Sequence, residues 1–458
     1  MFCQLDRLRR CLLPRIRRAL DELPETLDET YERTLLDIDD ESWVYAHRLF
    51  QCIVVARRPL LVEELAEFLT FKSEAGGSLT FEGSWRPENP KDTVLSTCSS
   101  LITIVDVDGS PVVQFSHFSV KEYLTSTRIA QGRVSRYYIL LEPAHFFITQ
   151  ACLSFLLQLD NHVTEESIKV LPLARYAGRY WASHAEFGNV LSQTEDLIKR
   201  LFDPENHHLA NWVWIYDPIS DRSMLSKAPS HPKRAPLHYA AQQGFHRVAE
   251  WLITTCSQDV NVSSSDFSTP LHIASLRGRF TVIQVLLKHG ADVNAVYEDS
   301  WTSLHFASRF EDPQIARLLL EHGADVNSKT ALGVTPLRFL SDGDENLEVA
   351  QLLLEHGADP SVRSSTGRDS LYMALQKGHQ GFAQLLLKYG ADPNARDVDG
   401  QTPLHVCSRR GDPKVARGLL ELGVDVNSRD NQGRTPLKVA LQNGKENVAE
   451  ILLQHGAK

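Results

Sequence analysis

The tetrad Thr269-Pro270-Leu271-His272 is one of seven related tetrads in the second half of this 458-residue chain. The others are Ala235-Pro236-Leu237-His238, Thr302-Ser303-Leu304-His305, Thr335-Pro336-Leu337-Arg338, Asp369-Ser370-Leu371-Tyr372, Thr402-Pro403-Leu404-His405 and Thr435-Pro436-Leu437-Lys438. Successive tetrads are separated by 34, 33, 33, 34, 33 and 33 residues. A constant period of this length indicates a repeat architecture, in which stacked units share one continuous core.

Each period contains the residues that typically begin and end two successive helices. In the unit that begins at Thr269, the threonine hydroxyl caps a short first helix, and Pro270 suits its first turn because no backbone donor is needed there. After a turn at Gly278, a second helix presents the apolar side chains between Val282 and Leu287 to the core. Gly290 ends the second helix, and an extended finger leads to the next tetrad.

Seven tetrads at this spacing resemble ankyrin repeats, and the resemblance covers residues 235–458. It implies a curved solenoid whose fingers and first helices line a concave face for a protein partner. It also implies that the recurrent histidines (His238, His272, His305 and His405) tie successive turns together and hold no metal ion. The last repeat keeps the apolar pattern of an interior repeat, so we expect truncation or an outside partner at that end.

Composition indicates a soluble globular protein with room for two or three domains. A net charge of −10 provides no general attraction for nucleic acid or an anionic membrane surface. The seven cysteines are scattered and never spaced Cys-x-x-Cys, which favours reduced thiols over a disulfide framework or a zinc site. We therefore expect a cytoplasmic protein, with the nucleus as an alternative location, and no membrane-spanning segment.

Residues 41–130 have the order of elements of a winged helix, after an N-terminal helical region at residues 1–40. Three helices are predicted before a β-hairpin, and one helix follows it. The helices are predicted at Asp40–Ala56, Val62–Phe71, Thr93–Leu101 and Ser119–Ser126, and the hairpin strands at Ile102–Val105 and Val112–Phe115. A loop rich in glycine and proline separates the second helix from the third.

Several short motifs in this half resemble a known neighbourhood. Arg58-Pro59-Leu60, Cys98-Ser99-Ser100-Leu101-Ile102 and Phe115-Ser116-His117-Phe118-Ser119 are similar to the winged-helix segment that follows the nucleotidase core in fungal-type NACHT proteins. That segment is often labelled by its likeness to a GPI inositol-deacylase. The resemblance implies a helical connector at residues 131–216 and a role in signalling. The prolines at positions 218, 229 and 232 indicate a linker at 217–234.

The motifs of catalysis are missing from the sequence. It contains no Gly-x-x-x-x-Gly-Lys-Ser/Thr loop to hold phosphate and no Gly-x-Ser-x-Gly elbow to present a nucleophile. We therefore expect no enzymatic activity, no cofactor, no metal site and no small-molecule substrate, and neither binding nor hydrolysis of nucleoside triphosphates.

The predicted function is that of a non-enzymatic protein-interaction module, in which the ankyrin array is coupled to a winged-helix relay. The alternative is a DNA- or chromatin-associated regulator that uses its winged helix, although Thr93–Leu101 contains no arginine or lysine. Large aromatic side chains on the first two fingers, Phe267, Tyr297 and Trp301, are the predicted partner-binding residues. The competing interpretation is that they seal the solenoid against the helices before Asp217.

Overall fold

The computed structural model describes residues 26–73, 79–98, 100–160, 163–216, 232–266, 268–341 and 347–458. They belong to two compact units divided after Pro232. Helices dominate both units. The helices predicted before residue 26, and most of the predicted linker at 217–234, lie outside the described residues.

The first part of unit 1 combines short helices with two small sheets. Its elements are α1 (Leu27–Leu36), α2 (Trp43–Val55), β1 (Leu60–Leu61), α3 (Val62–Glu67), β2 (Phe71–Ser73), β3 (Leu79–Phe81), α4 (Pro90–Cys98), β4 (Ile102–Val107), β5 (Ser110–Phe115), α5 (Phe118–Leu124) and α6 (Thr127–Ala130). Apolar side chains of α2, such as Leu49 and Phe50, are fully buried, and the Phe50 ring lies 6.1 Å from that of Phe115. This contact holds the helix against the hairpin.

The predicted hairpin is formed by β4 and β5, which pair antiparallel from Ile102↔Phe115 to Val107↔Ser110. Asp108 and Gly109 make the two-residue turn with φ values of 51° and 78°, and positive φ at both positions gives a turn that matches the twist of the strands. β1 pairs with the other edge of β5, so the three-stranded sheet has the order β1-β5-β4.

The second predicted helix of this half is shorter than expected. The sequence predicted a helix over Val62–Phe71, but α3 ends at Glu67, a 3-10 turn covers Phe68–Thr70, and Phe71 begins a strand. β2 pairs with β3, which lies inside the stretch predicted as a loop. The rings of Phe71 and Phe81 are in contact across the strand pair, with centroids 5.2 Å apart. This contact favours the strand pairing over continuation of the helix.

The rest of unit 1 is helical, as predicted for residues 143–216. Its helices are α7 (Leu141–Leu156), α8 (Glu165–Lys169), α9 (Leu173–Ala185), α10 (Val190–Gln193), α11 (Glu195–Phe202) and α12 (His208–Tyr216). The fully buried indole of Trp181 packs edge-on against Trp212 at 5.5 Å, and Trp212 donates its indole N–H to the carbonyl of Gly178 at 2.8 Å. These contacts join α9 to α12.

Unit 2, which we call the array, consists of paired helices. The first helices of the pairs are α13 (Pro236–Gln243), α15 (Pro270–Leu276), α17 (Ser303–Arg309), α19 (Pro336–Phe339), α21 (Ser370–Lys377), α23 (Pro403–Arg410) and α25 (Pro436–Gln442). The second helices are α14 (His246–Thr254), α16 (Phe280–Lys288), α18 (Pro313–Glu321), α20 (Leu347–Glu355), α22 (Gln380–Lys388), α24 (Pro413–Glu421) and α26 (Glu446–Gln454). Each first helix starts at the second residue of a tetrad, as the capping argument predicted.

Asparagine side chains tie neighbouring fingers together. Asn294 donates to the carbonyl of Gly323 at 3.0 Å and accepts the backbone N–H of Asp325 at 2.8 Å. Asn327 makes the same pair of hydrogen bonds to Gly357 and Asp359, at 3.0 and 2.8 Å. Because each rung joins residues about thirty positions apart, the fingers are held in register independently of the helices.

Candidate interaction surface

Two of the three predicted partner-binding residues flank one tight turn. Tyr297 and Trp301 stand on either side of a 3-10 turn at Glu298–Ser300, and the Tyr297 N–H donates to the Trp301 carbonyl at 2.7 Å. Phe267, the third predicted residue, lies outside the described residues. The structure therefore brings Tyr297 and Trp301 together through the backbone of a single finger.

The backbone of this finger is in a conformation that usually needs glycine. Ser300 has φ of 61°, where the next three fingers carry Gly333, Gly367 and Gly400 at φ between 70° and 74°. Asp299 has φ of 54° as well. Left-handed backbone costs a residue with a Cβ about 1–2 kcal/mol, so this finger is less stable than one with glycine would be.

The two aromatic side chains belong to a larger ring cluster. The Trp301 ring lies 4.5 Å from that of Phe339 and 5.0 Å from that of Phe306, and Tyr297 lies 6.0 Å from Phe306. These four residues form what we call the aromatic cluster. The cluster spans two neighbouring repeats, because Phe306 is in α17 and Phe339 is in α19.

Sequence analysis missed Phe306 and Phe339. Each follows the fourth residue of its tetrad, a position held by Ile273 and Val406 in other units. The signal was available, since two aromatic residues one period apart must stand side by side in stacked repeats.

The aromatic side chains of the finger are half-buried, whereas the sequence analysis expected exposed ones. Tyr297 and Trp301 pack against Phe306, which is 7% exposed, and part of each ring is buried by this contact. The same two repeats carry two exposed apolar side chains: Phe310, just after α17, is 54% exposed, and Leu332, on the next finger, is 65% exposed. The guanidinium of Arg309 lies over the Trp301 ring at 5.5 Å. The surface thus combines packed aromatic rings, exposed apolar side chains and positive charge.

The tetrad histidines have a structural role, as predicted. His305 accepts the backbone N–H of Thr302 at its Nδ1 (3.1 Å), and its Nε2 lies 3.1 Å from the carbonyl of Val334 in the next unit. His272 and His405 make the matching pair of contacts. Burial lowers the pKa of His305 to about 4, so the neutral ring that this geometry needs is the one present at neutral pH.

A buried histidine pair in unit 1 was not predicted. His145 and His184 approach at 2.8 Å between their Nδ1 atoms, and His184 Nε2 lies 2.9 Å from the hydroxyl of Tyr176. Burial lowers the pKa of His145 to about 4 and that of His184 to about 3. Because Tyr176 also accepts the N–H of Arg57, this chain of hydrogen bonds joins α7 and α9 to the end of α2.

Among the residues that the structure describes, no group of three or more His, Cys, Asp or Glu side chains has the arrangement of a metal site. In the same part of the chain, none of the helices is long and apolar enough to cross a bilayer.

Family models of ankyrin repeats match the array at residues 237–330 and 396–458, and a second such model matches residues 353–407. The chain contains ankyrin repeats. The matches leave residues 331–352 uncovered within the array. That stretch belongs to the ankyrin repeat whose tetrad ends in Arg338 where others have histidine.

Curated proteins from other organisms match parts of this chain. The "Azaphilone pigments biosynthesis cluster protein L" of Monascus ruber is 32% identical over 294 aligned positions, and the match covers 59% of this chain and 61% of that protein. The "26S proteasome non-ATPase regulatory subunit 10" of Dictyostelium discoideum is 31% identical over 77 residues, which are 17% of this chain and 33% of that one. The chain thus spans less than two thirds of the length of these relatives.

Among solved structures, the ankyrin repeat domain of Bcl-3, a member of the IkappaB protein family, is similar to this chain. It has 30% sequence identity and a TM-score of 0.44, and the match covers 48% of this chain and 98% of that one.

Proposed function

We propose that this chain is a non-enzymatic protein-interaction module, whose ankyrin repeats hold a protein partner on the concave face formed by fingers and first helices. The observation that carries the proposal is the aromatic cluster, with half-buried Tyr297 and Trp301 beside exposed Phe310 and Leu332. Aromatic side chains held rigid at a surface are the residues that most often dominate the energy of protein interfaces.

Unit 1 is proposed to act as a winged-helix relay of the kind found in NACHT-type signalling proteins. In support, α2, β1, α3 and α4 precede the β4–β5 hairpin, and the sheet order is β1-β5-β4. Arg58, in one of the motifs that carry the resemblance, forms an ion pair with the buried carboxylate of Glu64 and so fixes the connection between α2 and α3. The proposed role of unit 1 is to transmit the binding of a partner as a signal, without catalysing a reaction.

The alternative function, a DNA- or chromatin-associated regulator, draws on the same arrangement of unit 1. Two observations weigh against it. The helix before the hairpin, α4, has Lys91 as its one cation, and the hairpin carries Asp106 and Asp108. A DNA-docking surface needs several positive charges to replace the counterions of phosphate.

A reducing, cytoplasmic setting is also part of the proposal. Cys52, Cys152 and Cys407 are buried free thiols, and burial raises the pKa of each of them. Buried thiols with a raised pKa are poor nucleophiles and behave as small apolar side chains.

Site-specific photocrosslinking tests the interaction proposal. A benzophenone amino acid at Leu332, next to the aromatic cluster, should crosslink a partner in extracts of cells that express the chain, and the same probe at exposed Leu453 should not. Replacing Tyr297 and Trp301 by alanine should abolish the crosslink in a chain that still folds, whereas Tyr297→Phe with Trp301→Phe should retain it. If crosslinking survives the alanine changes while the melting temperature falls, the aromatics are an internal seal and the proposal is wrong.

An electrophoretic mobility shift series at rising salt tests the DNA alternative. We expect no specific shift of duplex DNA at physiological salt. A shift that is lost on Lys91→Gln would favour the alternative instead.

A further inference from the structure

Charge is unevenly divided between the two helices of the ankyrin pairs. The first helices α13, α15, α17, α19, α21, α23 and α25 contain six lysine or arginine residues and no aspartate or glutamate. The second helices contain seven glutamates and six lysine or arginine residues, so their charges nearly cancel. In a chain with net charge −10, this segregation leaves the first-helix face basic.

Several of these cations are exposed beside the aromatic cluster or further along the same face. Arg309 and Lys438 are exposed, and Arg277, which directly follows α15, is exposed too. Arg410 is held in place, because it donates to the carbonyls of Gln376 and Lys377 at the end of the preceding first helix, at 2.5 and 2.8 Å. The positive charges thus continue from one repeat to the next.

Some carboxylates of the fingers are withdrawn from the surface, and others, such as Asp325 and Asp399, are exposed. Asp397 and Asp430 are buried, and each accepts two backbone N–H groups of its own finger. Glu298 and Asp299 are exposed on the finger of Tyr297 and are the acidic side chains nearest in sequence to the cluster. The guanidinium of Arg309 lies over the Trp301 ring.

We propose that the first-helix face binds an extended acidic segment of a partner protein, with an aromatic side chain of that segment against the aromatic cluster. The inference rests on the proposed interaction function and names the chemistry of the partner. Extended peptides suit a face of stacked repeats because each repeat presents the same position again one step further on. Complementary charge then selects the acidic sequence and speeds its association.

Fluorescence anisotropy with designed peptides tests this on the full chain. The probe is a labelled peptide of about 12 residues built from the unit Glu-Glu-Phe-Glu, long enough to cross several repeats. Matched peptides built from Gln-Gln-Phe-Gln and Glu-Glu-Ala-Glu remove the charge or the ring. Only the first peptide should bind measurably, and its binding should weaken as salt is raised from about 50 to about 300 mM, because salt screens exposed charges.

Two charge-reversal pairs separate location from net charge. Arg277→Glu with Arg309→Glu should weaken binding at least about tenfold, since both changes oppose the acidic peptide on its own face. Arg317→Glu with Arg417→Glu, on exposed positions of the second helices, changes the net charge equally and should weaken binding less than about twofold. Melting curves of the parent chain and the two double variants show whether the variants are folded.

Three results would overturn the inference. The first is equal binding of the neutral Gln-Gln-Phe-Gln peptide, which would reject an acidic partner but leave the interaction function standing. The second is equal weakening by the two charge-reversal pairs. The third is equally tight binding of a single-stranded oligonucleotide of similar charge, which would mark the face as a general polyanion surface.

Discussion

At the scale of single residues, the tetrad histidines act as neutral connectors. Nδ1 of His305 accepts a hydrogen bond from Thr302, so it carries no proton, and Nε2 is left as the donor to Val334. A protonated ring would lose the first of these contacts. Burial lowers the pKa of His238, His272 and His405 as well, for the same reason.

The free energy of unfolding should therefore fall as the pH is lowered from about 6.5 towards 4. In this range the histidines of the unfolded chain bind protons, whereas the buried histidines of the folded chain do not. The sign follows from a folded-state pKa for His305 of about 4, below that of an exposed histidine. Urea unfolding at several pH values in this range measures the slope.

The contribution of His305 is isolated by His305→Gln, whose amide does not titrate. The free energy of unfolding of this variant should be lower at neutral pH. Its slope with pH should be smaller than in the parent chain, by the equivalent of up to about one bound proton. The difference between variants matters because His145 and His184 in unit 1 also resist protonation. Identical slopes would show that His305 does not titrate with unfolding.

At the scale of elements, the close approach of two helices requires glycine at position 178. A Cβ added there would meet Cγ2 of Ile215 at 2.7 Å, so α9 and α12 approach more closely than alanine permits. Considered alone, a helical glycine would be improved by alanine by about 1 kcal/mol.

We predict that Gly178→Ala destabilises unit 1 by about 1–3 kcal/mol, the usual cost of overpacking a buried contact. Chemical denaturation followed by tryptophan fluorescence, to which buried Trp181 and Trp212 contribute, measures the change. Because Cγ2 of Ile215 makes the close contact, Gly178→Ala should cost less in an Ile215→Ala background, which lacks that atom, than in the parent chain. A stabilising effect of the single change would mean that helix propensity outweighs packing here.

One rung of the asparagine ladder has a different residue. Asn294, Asn327 and Asn427 bridge to the following finger, and Ser361 occupies the equivalent position in the finger that precedes Gly390. Serine has no amide and is shorter, so it cannot both donate and accept across the same distance.

Ser361→Asn should therefore stabilise the array by about 1 kcal/mol, the net value of hydrogen bonds of this kind. Ser361→Ala, which adds no amide, should change the stability by less than about 0.5 kcal/mol. Thermal melting of the three proteins side by side measures both effects. An asparagine variant no more stable than the alanine variant would contradict the prediction.

At the scale of the whole molecule, each of the two compact units has its own buried core. Leu319 of α18 is fully buried in the array, whereas Leu453 of α26 is 56% exposed. Stacked repeats depend on their neighbours, so damage to an interior core position spreads through the array.

We predict that Leu319→Ala lowers the stability of the array by about 2–5 kcal/mol. Leu453→Ala should change it by less than about 0.5 kcal/mol. Hydrogen exchange resolved by segment should show lost protection at residues 233–458 and retained protection in α7 and α9. Equal loss in both units would mean that they unfold as one.

The sequence by itself determined the array, because the period of 33 or 34 residues fixes where each helix begins and which side chains face the core. It also determined the hairpin, since Asp108-Gly109 can take positive φ at both positions, and the structural role of the tetrad histidines. These features are local or repeat at a constant interval, so a linear pattern is enough to reveal them.

Only the tertiary structure decided which residues become partners across distance. The β2–β3 pairing depends on Phe71 meeting Phe81, and Tyr297 and Trp301 became a candidate surface through Phe306 and Phe339. Gly178 is required because α12 approaches it, whereas its own helix would prefer alanine. Contacts of this kind depend on packing between elements, and packing energy belongs to pairs of residues that no single stretch of sequence contains.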